Sequence, residues 1–141
     1  MTTMTTESIR IGALDIRFLV EAAQLDGAAA IFEFSVPAGA RVPVPHSHDA
    51  YEETIYGVEG VLTWTIEGDA HDVAAGEVLV IPRGAVHGFA NPGSVDAKAL
   101  AVVTPGLLGP EYFREVGEAV AAGNLPEVGA IMQRHGLTPA P

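Results

Sequence analysis

The chain has 141 residues, 18 acidic against 7 basic side chains and no cysteine. That length suits one domain with a core large enough to need no disulfide, and the missing cysteines rule out disulfides, thiolate metal sites and a cysteine nucleophile. A formal charge of −11 works against nucleic acid and against anionic membranes, both of which are bound through Lys and Arg.

The opening residues, Met1 to Ser8, are polar and carry no positive charge, and no apolar run of signal-peptide or membrane-span length follows. They are expected as a frayed tail, and a cytoplasmic location is compatible with the whole. From Ile9 to about Thr104 the chain reads as strands. Alternation is clear in Phe32-Glu-Phe34-Ser-Val36 and in Leu62-Thr-Trp64-Thr-Ile66. Turn signals recur at Pro37-Ala-Gly39, Glu59-Gly60, Glu67-Gly-Asp69, Ala75-Gly76, Pro82-Arg-Gly84 and Asn91-Pro-Gly93. Short strands at this spacing suggest a sandwich or barrel. Residues 107–141 change character and form a helical extension of the same domain. Gly109-Pro110-Glu111 starts a helix carrying Tyr112, Phe113, Val116 and Val120 at helical spacing, ending near Gly123. Asn124 with Glu127 starts a second helix, with Leu125, Val128 and Ile131 as its stripe and Gly136 as a left-handed stop. The two apolar stripes are expected to pack on the outer face of the barrel or against a partner subunit.

The candidate chemistry lies in two blocks. His46 and His48 are two residues apart, so in a strand both imidazoles face one way. Alone this pair is weak evidence, since two exposed histidines would look the same. Glu53 follows after a spacer long enough to turn the chain into a neighbouring strand. His87 comes much later, after a strand and the Pro82-Arg-Gly84 turn, so only a fold that joins the blocks makes a site. Three imidazoles and a carboxylate suit one divalent transition-metal ion, Fe, Mn, Co, Ni or Zn. Calcium and magnesium prefer oxygen cages. The adjacent acids Glu52 and Glu53 leave a choice of register, and Glu53 is taken as the inward one because a one-residue slip would also turn Ile55 outward.

These blocks resemble the two motifs of the cupin superfamily. The first is matched by Gly39, six residues, His46-Ser47-His48, four residues, Glu53, six residues and Gly60, the first spacer being one residue longer than usual. The second is matched without a gap by Gly76, Pro82, Gly84, His87 and Asn91. The resemblance implies an all-β double-stranded β-helix, a jelly-roll barrel over residues 9–106, with the metal inside its wider mouth. It also implies a homodimer paired through the sheets, a pairing to which outward-facing Thr54 and Tyr56 would contribute.

Other residues have plainer readings. His71 is expected as an exposed turn residue, His135 as a helix end interacting with the dipole, Arg83 as an exposed turn residue or a contact for an acidic substrate, and Asn91 as a backbone-bonding turn residue. Phe34, Ile55, Trp64 and Phe89, with Tyr51 at the rim, are candidates to line a substrate pocket, though each alone would also serve as plain core. Three functions then compete. Resemblance to small quercetin-dioxygenase-like cupins points to an oxygenase for a small phenolic or enolic compound, with Glu53 as ligand or catalytic base. In the second the ion acts as a Lewis acid in an isomerase, lyase or cyclase, and in the third it anchors a ligand without turnover.

Overall fold

The computed structural model describes residues 7–42 and 44–141. Eleven strands are found among the described residues: β1 (Ser8–Ile11), β2 (Leu14–Val20), β3 (Ala30–Val36), β4 (His46–His48), β5 (Glu52–Glu59), β6 (Val61–Ile66), β7 (Asp69–Ala74), β8 (Val78–Ile81), β9 (His87–Ala90), β10 (Ala97–Thr104) and β11 (Leu137–Pro139). A short 3-10 turn covers Ala22–Leu25, and two helices follow the barrel, α1 (Pro110–Ala121) and α2 (Leu125–Arg134). The tail expected through Ser8 lies outside the described residues for residues 1–6, and Ser8 itself already pairs with Arg17.

The strands form two antiparallel sheets, one ordered β1-β2-β3-β10-β5-β8 and the other β11-β4-β9-β6-β7. Alternating burial along β3, β5 and β10 sends Phe32, Phe34, Ile55, Ala99, Ala101 and Val103 into the space between the sheets. This is the two-sheet jelly roll, with a core of inward residues from both faces. On β5 the inward set is Glu53, Ile55 and Gly57, while Tyr56 and Val58 are exposed. Gly57 is required where β5 meets the turn after β7, because a Cβ there would lie 2.0 Å from the Ala74 carbonyl oxygen.

The C-terminal helices follow their local signals. Gly109 precedes Pro110 at the first turn of α1, and the Asn124 side chain accepts from the Glu127 amide at 3.4 Å to start α2. Their packing differs from the expectation of an outer-face dock. Phe113 of α1 lies 5.0 Å from the inward ring of Phe32 and 5.7 Å from Phe18, and the apolar stripes of both helices border the interior cavity. The hairpin therefore covers the open end of the barrel. Burial against the inward rings of Phe18 and Phe32 holds the α1 stripe there. Gly117 lets α1 sit tightly on β1: a Cβ would come within 2.3 Å of the Arg10 carbonyl oxygen. After α2 the chain turns at Gly136 (φ 82°) and adds β11 beside β4. No helix among the described residues is long and apolar enough to cross a membrane.

Candidate metal centre

The site is assembled from both sheets. His46 and His48 come from β4, which is held on one side by β11, through Leu137 opposite His48 and Pro139 opposite His46, and on the other by β9, where His46 faces His87. The flanking chain is tied as well: the Asp49 amide donates to the Gly136 carbonyl at 2.9 Å and the Thr138 hydroxyl to Asp49 at 2.7 Å. Glu53 comes from the other sheet, opposite Val103 of β10 and Ile81 of β8. An ion bound by all four residues would join the two sheets.

One ring nitrogen from each of His46, His48 and His87 lies within 4.8 Å of one from each of the others. Glu53 Oε1 is 3.8 Å from His48 Nε2 and 3.7 Å from His87 Nε2. Such gaps are too long for hydrogen bonds and shorter than two metal–ligand bonds of about 2.1 Å end to end. They are the spacing that a shared ion would fill. The tautomers agree. Nδ1–H of His46 donates to the Val44 carbonyl and Nδ1–H of His87 to the Ala85 carbonyl, both at 2.9 Å, which leaves each Nε2 with a free lone pair. His48 differs, since its Nδ1 is buried without a partner and its ring instead stacks on Tyr51 at 4.5 Å.

Electrostatics point the same way. Burial, helped by the neighbouring His87, pushes His46 down to about 4, and burial with His87 and His46 pushes His48 to about 2. His87 is lowered too, by burial. All three are therefore neutral near pH 7, the form that binds metals. Burial alone pushes Glu53 up to about 8, so without a cation the carboxyl holds its proton at neutral pH. Because that value lies above the ordinary 4.5 of the unfolded chain, Glu53 by itself makes the metal-free fold less stable as pH rises from about 4.5 to about 8, whereas the lowered histidines act in the opposite sense below their ordinary 6.5; a bound cation relieves the Glu53 contribution. Metal uptake at pH 7 is expected to release close to one proton per ion, falling toward none above pH 9 as Glu53 is already ionised. Calorimetry of apoprotein titrated with zinc in buffers of different ionisation enthalpy measures this. Uptake without proton release at pH 7 would contradict the role of Glu53 as a ligand.

Beside the four residues is a small cavity of about 50 Å³, room for a few waters by the usual measure of about 10–15 Å³ each. Phe34, Trp64 and Phe89 line it, but Tyr51 and Ile55 do not. Ile55, on the same face of β5 as Glu53, is fully buried in the core, and Tyr51 is held behind the His48 ring by the stack. The remaining wall was missed from sequence: Tyr112, Phe113 and Val116 of α1, Val128 and Met132 of α2, and Ile11, Leu14 and Ile16 of the first hairpin. Their periodicity was a legible signal of an apolar face, with no indication of what it covers. Arg83 and Asn91 take no part in the cavity. Arg83 forms a two-point ion pair with Glu52, the second contact at 3.2 Å. Asn91 bonds the backbone of Val36 (2.9 Å), Val95 (2.8 Å) and Gly93 (3.0 Å). His71 is exposed, within β7 rather than in the turn before it, and His135 bonds Glu115 at the end of α2.

Known structures share this architecture. A predicted oxalate decarboxylase from Thermotoga maritima superposes with a TM-score of 0.65 at 24% identity, over 72% of this chain and 92% of that one. A conserved protein with a double-stranded β-helix domain from Klebsiella pneumoniae gives 0.61 at 21% identity, over 72% and 86%. At those identities the likeness is one of fold. In sequence, the chain is 32% identical over 93 residues to quercetin 2,3-dioxygenase of Bacillus subtilis strain 168, which is 66% of this chain and 27% of that protein. This chain thus matches only about a quarter of its relative's length. The model of the cupin domain matches residues 32–103, a span that holds all four candidate ligands and half of the chain, and the protein therefore belongs to the cupin family.

Proposed function

We propose that the protein is a metal-dependent oxygenase, dioxygenase-like, acting on a small phenolic or enolic compound bound beside His46, His48, Glu53 and His87. The carrying observation is the pairing of three neutral imidazoles and a buried carboxylate, around an ion-sized gap, with an apolar cavity. The similarity to a quercetin dioxygenase supports the same reading. When bound, the ion supplies Lewis acidity and, if it is iron, manganese, nickel or cobalt, one-electron chemistry with dioxygen. The protein supplies the rest. The aromatic wall of Phe34, Trp64 and Phe89 orients a flat ring and excludes water. Glu53 accepts the hydroxyl proton of the substrate, a task suited to a carboxylate whose proton affinity burial has raised toward neutrality. The cavity is far smaller than the roughly 300–1,000 Å³ of pockets for drug-sized ligands, so substrate entry requires the side chains of the helical hairpin to yield.

The test is oxygen uptake by protein loaded separately with iron, manganese, nickel and zinc, against a panel of phenols and enols. Uptake that matches product formation, absent with zinc, is expected. Turnover that survives strict anaerobiosis or zinc replacement would place the protein instead among non-redox isomerases, lyases or cyclases, and tight binding without product among binding proteins.

The chain is further proposed to form a homodimer. Tyr56 and Val58 on β5 and Val78 and Val80 on the edge strand β8 are exposed on one outer sheet face, an apolar patch on a chain otherwise charged −11. Light scattering at micromolar concentration is expected to give twice the chain mass, and Tyr56→Glu to halve it.

A further inference from the structure

Trp64 is the single tryptophan of the chain. It sits on β6 opposite Phe89, is 1% exposed and lines the cavity. Its indole Nε1 is buried with no hydrogen-bond partner. An indole N–H can only donate, a buried one normally finds an acceptor, and leaving it unpaired forfeits its hydration with no return. Its ring neighbours do not pair with it: Phe89 lies at 4.7 Å and Phe34 at 6.1 Å, and the His87 ring is stacked at 6.4 Å, its Nδ1 engaged to Ala85 and its Nε2 assigned to the ion. Apart from Tyr112 and the four candidate ligands, the side chains bordering the cavity are otherwise apolar. Trp64 borders the cavity, so a ligand whose entry makes the lining side chains yield is the remaining source of an acceptor.

We infer that the Trp64 indole N–H hydrogen-bonds an oxygen of the bound ligand. The site then takes a compact compound with two oxygen functions, one directed at the ion and one at Trp64, joined by an apolar body. This rests on the reading of His46, His48, Glu53 and His87 as a metal site, and it narrows the ligand class. A site built to donate to an oxygen discriminates against the analogue that lacks it, because the buried donor is then left unpaired.

The test uses zinc-loaded full-length protein labelled with 15N, in which one indole cross-peak reports Trp64. Two probes of equal size are compared: levulinate, which carries a ketone distal to its carboxylate, and 4-methylpentanoate, which has a methyl branch there. Both are expected to bind through the carboxylate, levulinate about tenfold more tightly, the worth of one hydrogen bond. Only levulinate should move the indole proton downfield. Trp64→Phe should remove the preference, so that the two probes bind equally, while leaving zinc stoichiometry in place. Equal affinities in the wild type, an indole signal unmoved at levulinate saturation (a water alone serving the donor), or no binding of levulinate would each overturn the inference. Zinc is counted by elemental analysis before any probe is added. Full loading with an unresponsive indole defeats the inference alone, whereas failure to load defeats the metal site and the inference together.

Discussion

Glu53→Gln is expected to retain most of the bound metal and lose turnover by about 10²–10⁴-fold, the usual contribution of a positioned general base. The substitution keeps the size and shape of the side chain and removes the charge and the proton acceptor. Three imidazoles remain, each neutral at pH 7 because burial holds its pKa down. The buried position suits a neutral amide, since the carboxyl itself is pushed toward its neutral form there, so the variant should fold at least as well as the parent without metal. The pH profile gives a second readout. A bound cation draws the Glu53 pKa down from about 8, so the rate should rise with pH along an acid limb below that value, and the glutamine variant should lack that limb. Metal stoichiometry and product are measured on one preparation. Undiminished turnover with the ion retained would remove Glu53 from the role of base.

His48→Ala and His87→Ala are each expected to abolish stoichiometric metal. Even outer residues that merely orient a ligand typically contribute about 10–100-fold in metal affinity, and direct ligands contribute more. His87 is fixed by its bond to the Ala85 carbonyl and lies across from His46 on the adjoining strand, so its loss removes one of two preset lone pairs. His48 has no such bond and is placed by the Tyr51 stack and by β11 beside it. Because β4 keeps backbone partners on both sides, the variants should retain the strand-rich circular dichroism of the parent. Elemental analysis after purification without chelators is the measurement.

Much of this architecture is legible in the chain itself. The two-residue period of Phe32-Glu-Phe34 and of the segment through Glu53 and Ile55 separates inner from outer faces, and a slip by one would bury Glu52 and Tyr56, which are half-exposed and exposed. The joining of His46 and His48 with His87 depends on the pairing of His46 with His87, 41 residues apart, which no local pattern reveals and only the motif resemblance implied. The position of the helical hairpin was not legible. Tyr112, Phe113, Val116 and Val128 announce an apolar stripe, but periodicity states that a face is buried and leaves open which surface buries it. β11 is three residues long and ends in proline, too little to show alternation, yet it braces the strand that carries two of the candidate ligands. Tyr51 has the parity of Glu53 and follows a turn, where parity loses its meaning. Its ring went to His48 rather than to the cavity.

Whether one divalent transition-metal ion sits among His46, His48, His87 and Glu53 is tested most directly by crystals of protein purified without chelators and supplied with a single metal, measured above and below that metal's absorption edge. One anomalous peak per chain is expected, about 2.0–2.2 Å from a ring nitrogen of each histidine, with a Glu53 oxygen bound or within reach of a water on the ion. A peak elsewhere, or protein that takes up no metal while retaining its fold, would contradict it.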